Sequence, residues 1–386
     1  MRKKVEFELL SPLMTGGIRI ADNFLESESF IRGSVLRAAF ANEILLECPL
    51  ADVPGKNGEL NFIEEKEPDG KCQDCPNRNI CRAFSNMYFS FAYPADSIPA
   101  PLTAKVCKTA GLRHRIQDTV VQNGRLQCPD CQAGLKRMES LKGLIRQEID
   151  AYSSVRIHSV LTTHTAINYD THIADDGKLF TIKAIPRGLI YTAEIDDCDT
   201  GFLCTGKVIH VGKYASAGYG KLRIKSISDA QIFTTDQTAD DIRAFQNTLQ
   251  APNQAALLFR SDAILDIPAD HAILPDEEYL RIWQNALFGS KDSVTVEKVY
   301  AETQLYSGYN TARKWGEWKD KQPILLVKKG TSVLLHITEG AEQQAYATLT
   351  NIAENGIGQR TKDGFGSVSV CHPLHRLGVY QNVENN

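Results

Sequence analysis

The chain has 386 residues, 42% of them hydrophobic, and a formal net charge of −4. That length suggests two or three domains with real cores, and the charge argues against a uniformly basic nucleic-acid coat. No apolar run reaches bilayer length and the opening MRKKVEFELL does not read as a signal peptide, so a cytoplasmic protein with no membrane partner is expected.

Taken in chain order, KVEFELLSPL alternates apolar and polar residues and predicts the first strand. FIRGSVLRAAFANEILL predicts a helix with Ser34 as its N-cap and a stripe of Val35, Leu36, Ala39, Phe40 and Leu45. Arg32, Gly33, Ser34 and Arg37 at its start offer a phosphate free N–H groups, the helix dipole and two guanidinium groups. A solvated helix end is the plain alternative. Residues 50–150 are irregular and rich in Cys, Pro and charge, as an insertion would be; within them ESLKGLIRQEIDAY looks helical. Residues 156–182 read as a long hairpin with a polar ADDGK tip, carrying Arg156, His158 and His164 on its arm. YTAEI and GFLCTGKVIHV supply further strands. A polar connector, 231–254, then separates a first domain, 1–230, from a second, 255–386. The second domain reads β-α-β-β-α-β, the ferredoxin-like plan, from AALLF through DEEYLRIWQNALFG, VEKVYAETQLY, the strand pair of QPILLVKKGTSVLLHI, and EGAEQQAYATLTNIAEN to SVSV.

Ten cysteines in a chain read as cytosolic point to metal rather than to disulfides. Cys72 and Cys75 form one C-x2-C knuckle and Cys128 and Cys131 another, which together predict a structural tetrahedral zinc site, with Cys81 or Cys107 as alternates for one ligand. Cys48, Cys198, Cys204 and Cys371 read as ordinary small core residues.

Each half closes on the same pattern. Gly212, Gly218, Tyr219, Gly220, Leu222 and Ile224 match Gly358, Gly364, Phe365, Gly366, Val368 and Val370, which favours an internal duplication over two unrelated turns. Three glycines per copy permit positive φ and close approach to backbone N–H groups. Lys213, Arg360 and Lys362 sit in these loops. Basic residues are clustered: residues 201–225 hold Lys207, Lys213, Lys221, Arg223 and Lys225 without a carboxylate, while acid gathers in the 64–69 run.

The G-x5-G-[YF]-G loops and the FIRGSVLRAAF helix start resemble the RAMP superfamily of CRISPR effector complexes. More narrowly, PAPLTAKVCK, CPDC, HTAIN with GKLFTIKAI, and SGYNTARKWG resemble the type III-D subunit grouped with those that grip the 5′ handle of the guide RNA, or its counterpart in a smaller type III-derived effector. The resemblance implies an α+β chain of tandem ferredoxin-like (RRM-like) RAMP domains with a zinc-binding insertion and a β-hairpin thumb. It also implies a non-catalytic subunit that binds the crRNA, contacts a neighbouring RAMP backbone subunit and other effector subunits, and lies near the target RNA. Within the glycine loops it implies that the amides hold phosphates while the aromatic stacks on a base or ribose. Tyr309, Arg313, Lys314, Trp315 and Trp318 add a basic and aromatic patch, although tryptophans more often pack than stack on RNA.

Three rival readings stand beside this one. A target-cleaving backbone subunit uses a thumb aspartate; here that position is Asn168, with Asp170, Asp175 and Asp176 nearby. A guide-processing ribonuclease needs a histidine base, for which His164 and His172 are candidates. A zinc-stabilised scaffold needs no RNA at all.

Overall fold

A computed structural model describes residues 1–16, 18–21, 23–55, 63–120, 126–131, 137–148, 152–167, 170–171, 173–198, 201–249, 252–270, 274–306 and 323–377. They fall into two compact units: one built from Met1–Ala95 and Arg156–Ala230, the other from Asp96–Val155 and the described residues after Gln231. The Cys-rich stretch expected as one insertion of the first domain is therefore divided, with 50–95 in the first unit and 96–155 in the second. The reason lies in pairing: Leu102 N donates to Gly330 O and Tyr300 Oη to Thr119 O, which ties 96–155 to the later chain.

In the first unit the central strand Arg2–Leu9 pairs antiparallel with Ile190–Asp196 on one side and Lys221–Asp229 on the other. Tyr93–Pro94 adds one edge and Val208–His210 the other. Taking strands in chain order, and setting aside the Val208–His210 edge, the sheet order is 4-1-3-2, the ferredoxin-like arrangement. Alternation decides the faces: Val5, Phe7 and Leu9 are buried against Leu36 and Phe40 of the helix Gly33–Leu46, with Phe89 and Phe202 closing the core. No α-helix lies between the third and fourth strands among the described residues. That space holds Val208–His210 and the first glycine loop instead.

The second unit keeps both helices. Gln254–Phe259, Asp276–Phe288, Val294–Tyr300, Ser332–Ile337, Glu342–Asn355 and Val368–Val370 follow β-α-β-β-α-β, with strand order 4-1-3-2. Its core is Trp283, Leu257, Phe259, Leu335 and Leu349, all without exposure.

Four expectations are corrected. The 231–254 connector contains a helix, Thr235–Leu249, whose Ile242 and Phe245 enter the second core, with Ala239 buried on the same face; apolar residues at i, i+3 and i+6 suffice to dock it. ESLKGLIRQEIDAY is not helical but forms Met138–Ser140, Leu144–Gln147 and the start of Tyr152–Val155, because Gly143 at φ +89° turns the chain between strands. VEKVYAETQLY divides into Val294–Tyr300 and Thr303–Tyr306. Ile324–Val327 pairs with Thr303–Tyr306 rather than with Ser332–Ile337, so the turn at Lys329-Gly330 joins two different sheets. Among the described residues no helix is long and apolar enough to cross a membrane.

Candidate nucleic-acid interface and metal centre

The two glycine loops share one backbone. Gly212, Tyr214, Gly218 and Gly220 have φ of +86°, +63°, +87° and +77°; their counterparts Gly358, Arg360, Gly364 and Gly366 have +83°, +57°, +77° and +68°. Each loop carries a one-turn 3-10 helix, Ala215–Ala217 and Thr361–Asp363. Their anchors also match. Lys213 N donates to Met14 O and Gln359 N to Ile264 O, both at 2.9 Å. Gly220 N donates to Pro12 O at 2.8 Å and Gly366 N to Asp262 O at 2.9 Å. In each unit the loop is thus laid onto the segment that follows the first strand of the sheet.

These anchors correct the expected mode of phosphate binding. Gly218 N and Gly364 N donate within their turns, to Ala215 O and Thr361 O, so the amides of the second and third glycine of each loop are spent on the protein itself. A Cβ on Gly212, Gly220, Gly358 or Gly366 would overlap the carbonyl oxygen of Met14, Val211, Ile264 or Ile357, which is why glycine is needed there. A Cβ on Gly218 would meet nothing within 4 Å. The aromatic residues do not face solvent either: Tyr219 is 4% exposed and Phe365 1%, each plugging its loop from below.

What the first loop does present is its outer turn. Residues 212–213 and 215–218 are exposed, and the N–H groups of Ala215 and Ser216 meet no acceptor among the described residues. Lys213, Lys221, Lys225 and His210 are exposed around this turn, and His210 pairs opposite Lys221 in the sheet. The second loop is less open. Gly364 is buried, and Arg360 gives its guanidinium to Asp363 at 3.1 and 2.8 Å, while Lys362 is exposed.

The hairpin is present as Val160–Ile167 against Ala174–Ala184, starting four residues later than expected, with the parallel strand Phe24–Glu26 beside it. Its arm reaches the first loop. His164 Nε2 lies 2.8 Å from Tyr219 Oη, which also bonds Thr162 Oγ1. His164, Phe180 and Tyr214 stack in series, with ring centroids 5.4 and 5.9 Å apart. His164 is therefore a fastener between hairpin and loop, a contact that spacing along the chain does not reveal. Arg156 and His158 are exposed, as are Leu161, Ile167, Ile173 and Leu179. Asp170 is exposed; Asn168, His172, the side chains of Asp175 and Asp176, and the patch Tyr309, Arg313, Lys314, Trp315 and Trp318 lie outside the described residues.

The helix start is corrected as a phosphate site. Arg32, not Ser34, is the N-cap, and Gly33 is buried behind it. Arg32 is 5% exposed and forks onto Glu28 at 3.2 and 2.6 Å, beneath the rings of Phe30 and Phe91. Arg37 donates to the carbonyls of Phe84 and Met87 at 2.7 and 2.6 Å. Both guanidinium groups hold the protein together.

The metal ligands are corrected too. Cys128 and Cys131 converge not with Cys72 and Cys75 but with Cys107 and His114, all four ligand atoms within 4.8 Å of one another. Cys107 Sγ is 3.4 Å from Cys131 Sγ, and His114 Nδ1 is 3.3 Å from both Cys128 Sγ and Cys131 Sγ. Ligands about 2.3 Å from a tetrahedral zinc stand roughly 3.8 Å apart, so this cluster is compatible with zinc. Burial raises the Cys107 thiol, yet the N–H groups of Ala110 and Thr109 and the sulfurs of Cys131 and Cys128 bring it down to about 6. Asp130, inside the C-P-D-C knuckle, accepts Arg115 N and Nε at 2.8 and 2.6 Å and so fixes the knuckle beside the His114 segment. Cys72, Cys75 and Cys81 lie in the other unit. His114 was hidden in sequence because it belongs to neither knuckle; the signal available was that one knuckle leaves two ligand positions to fill.

A family model described as the RAMP superfamily matches residues 6–223. No curated protein sequence matches the chain. Among solved structures, a chain of a type III-B Cmr-beta complex bound to cognate target RNA and AMPPnP is 11% identical, with 86% of each chain covered and a TM-score of 0.42. A second Cmr-beta structure with cognate target RNA is 12% identical, 86% of each chain covered, TM-score 0.39. A chain of a type IV-B CRISPR complex is 12% identical over 59% of this chain and 90% of that one, TM-score 0.28.

Proposed function

The chain belongs to the RAMP superfamily, and on that premise we propose that it is a non-catalytic subunit of a CRISPR effector complex, binding the 5′ handle of the crRNA and capping the backbone filament. The observation that carries the proposal is the duplicated loop: the same four left-handed residues and the same anchors, built once in each unit. Tyr214 and Arg360, the non-glycine residues held at positive φ in each copy, carry a cost that such a loop tolerates where its outer turn has work to do. In the first unit that turn shows two backbone N–H groups and Lys213 to solvent, with Lys221 and Lys225 on the adjoining strand. Such an array suits a ribose-phosphate chain, because amides and ammonium groups read the backbone and not the sequence. The hairpin, fastened to the loop through His164, carries exposed Leu161 as a thumb against guide nucleotides or the neighbouring subunit, and exposed Arg156 and His158 lie on the segment that leads into it. Target RNA and other effector subunits complete the expected surroundings, in the cytoplasm.

One contact favours the guide-processing reading, since His164 and Tyr219 touch. Tyr219 is buried, however, and its hydroxyl is shared with Thr162, which leaves it no access to a 2′-hydroxyl. The test uses the assembled complex. With Asp170, Asp175 and Asp176 changed to Ala, guide retention and any target cleavage should equal wild type; loss of cutting would make this chain the nuclease.

A further inference from the structure

Between Glu67 and Pro76 every residue is exposed except Cys72 and Cys75. Two inward sulfurs in so open a run need something to face. Cys75 N donates to Cys72 O at 3.3 Å and Arg78 N to Cys75 O at 3.1 Å, so the knuckle turns directly into the short helix Arg78–Ala83, which carries Cys81 against the first core. A fourth sulfur arrives from the other side. Cys48 follows the helix Gly33–Leu46, and its segment is stapled to the knuckle: Lys66 Nζ donates to the carbonyls of Leu50, Ala51 and Val53 at 2.9, 3.3 and 2.5 Å, and Asn77 Nδ2 to Glu47 Oε2 at 3.5 Å. All four cysteines are half-buried and none is in a disulfide. Asn77 links the two sides, since its carbonyl accepts Cys81 N at 2.9 Å while its side chain reaches Glu47, the neighbour of Cys48.

We propose that Cys48, Cys72, Cys75 and Cys81 form a second structural zinc centre, separate from the Cys107, His114, Cys128 and Cys131 cluster and located in the other unit. No residue from 64 to 79 is buried, so this stretch has no apolar core of its own; it is held by the pairs of Glu65 with Arg78 and Arg82 and by the Lys66 bonds, and a metal would add a cross-link at its exposed end. Four thiolates, in C-x2-C-x5-C with one remote partner, satisfy a tetrahedral Zn²⁺ and leave no open position for water. Sulfur spacing differs between the two sites. Those of the Cys107 group already meet within ligand distance, whereas these four are not such a group, so binding would close them up around the ion. The proposal stands apart from the RNA reading, and a scaffold without RNA would need the centre equally.

Metal analysis of the purified full chain decides it. Two zinc ions per chain are expected, falling to one in Cys81→Ser and to one in Cys128→Ser, and staying at two in Cys204→Ser, which alters an exposed thiol. One zinc in wild type, or two retained in Cys81→Ser, overturns the proposal. Should Cys81→Ser fail to fold, wild type is alkylated with iodoacetamide before and after chelation. Joint protection of Cys48, Cys72, Cys75 and Cys81, lost together with the metal, supports the centre; labelling before chelation, or a disulfide among them, refutes it.

Discussion

Gly218 and Gly220 are two residues apart and should fail in opposite ways when changed to Val. At Gly218 the added side chain points into open space, and the only penalty is holding a β-branched residue at φ +87°, about 1–2 kcal/mol. At Gly220 the same strain applies, and the Cβ also overlaps Val211 O, opening the pair of bonds that Gly220 makes to Val211 N and Pro12 O. With each lost backbone bond worth about 1 kcal/mol, Gly220→Val should cost roughly 3–4 kcal/mol, a large part of a domain's stability. Guide binding should rank the other way. Gly218→Val folds but adds an isopropyl group to the exposed face of the turn, in the way of an approaching phosphate. Loss of one charge-assisted contact of about 1.5–3 kcal/mol predicts a tenfold to hundredfold weaker Kd. Urea unfolding and filter binding of a 5′-handle RNA at one fixed salt concentration measure the two quantities. Equal destabilisation by the two variants, or wild-type affinity in folded Gly218→Val, refutes the division of labour between a buried hinge and an exposed turn.

Two further outcomes follow from contacts that tie elements together. Arg37→Ala should lower stability by about 2–4 kcal/mol, since it strips a charged donor from two carbonyls, and leave guide affinity of the folded protein within twofold; a loss of affinity without a loss of stability would return this residue to a phosphate role. Tyr219→Phe leaves His164 and Thr162 without their shared partner and should cost about 1–2 kcal/mol, with faster proteolysis of the 160–184 hairpin as the readout; unchanged cleavage would show that the fastener holds nothing.

In the second unit SVSV alternates and the helix of Trp283 carries its own apolar stripe, so the β-α-β-β-α-β order was legible, while its connector helix, its extra strand pair Thr303–Tyr306 with Ile324–Val327, and the strands of 138–155 were not. In the first unit the sheet is completed by Tyr93–Pro94, a two-residue strand with no period at all. Thr235–Leu249 hid its helix behind a polar sequence whose docking rests on three apolar residues. Loop chemistry failed for a different reason. The template correctly implied positive φ at three glycines per copy, but whether an amide faces phosphate or a carbonyl depends on Pro12 and Met14, or Asp262 and Ile264, residues about 200 and 100 positions away. His114 was invisible for that reason too: a candidate ligand outside a knuckle has no local signature. Arg32 and Arg37 sat where a phosphate would fit, and only packing shows both forks already occupied.

A structure of the chain with its guide bound would address the central claim most directly. The account predicts a guide phosphate within hydrogen-bonding distance of the Ala215 and Ser216 amides, with Lys213 beside it and Tyr219 still buried. A guide that runs elsewhere, leaving the 212–218 turn in bare solvent or against protein, would contradict it.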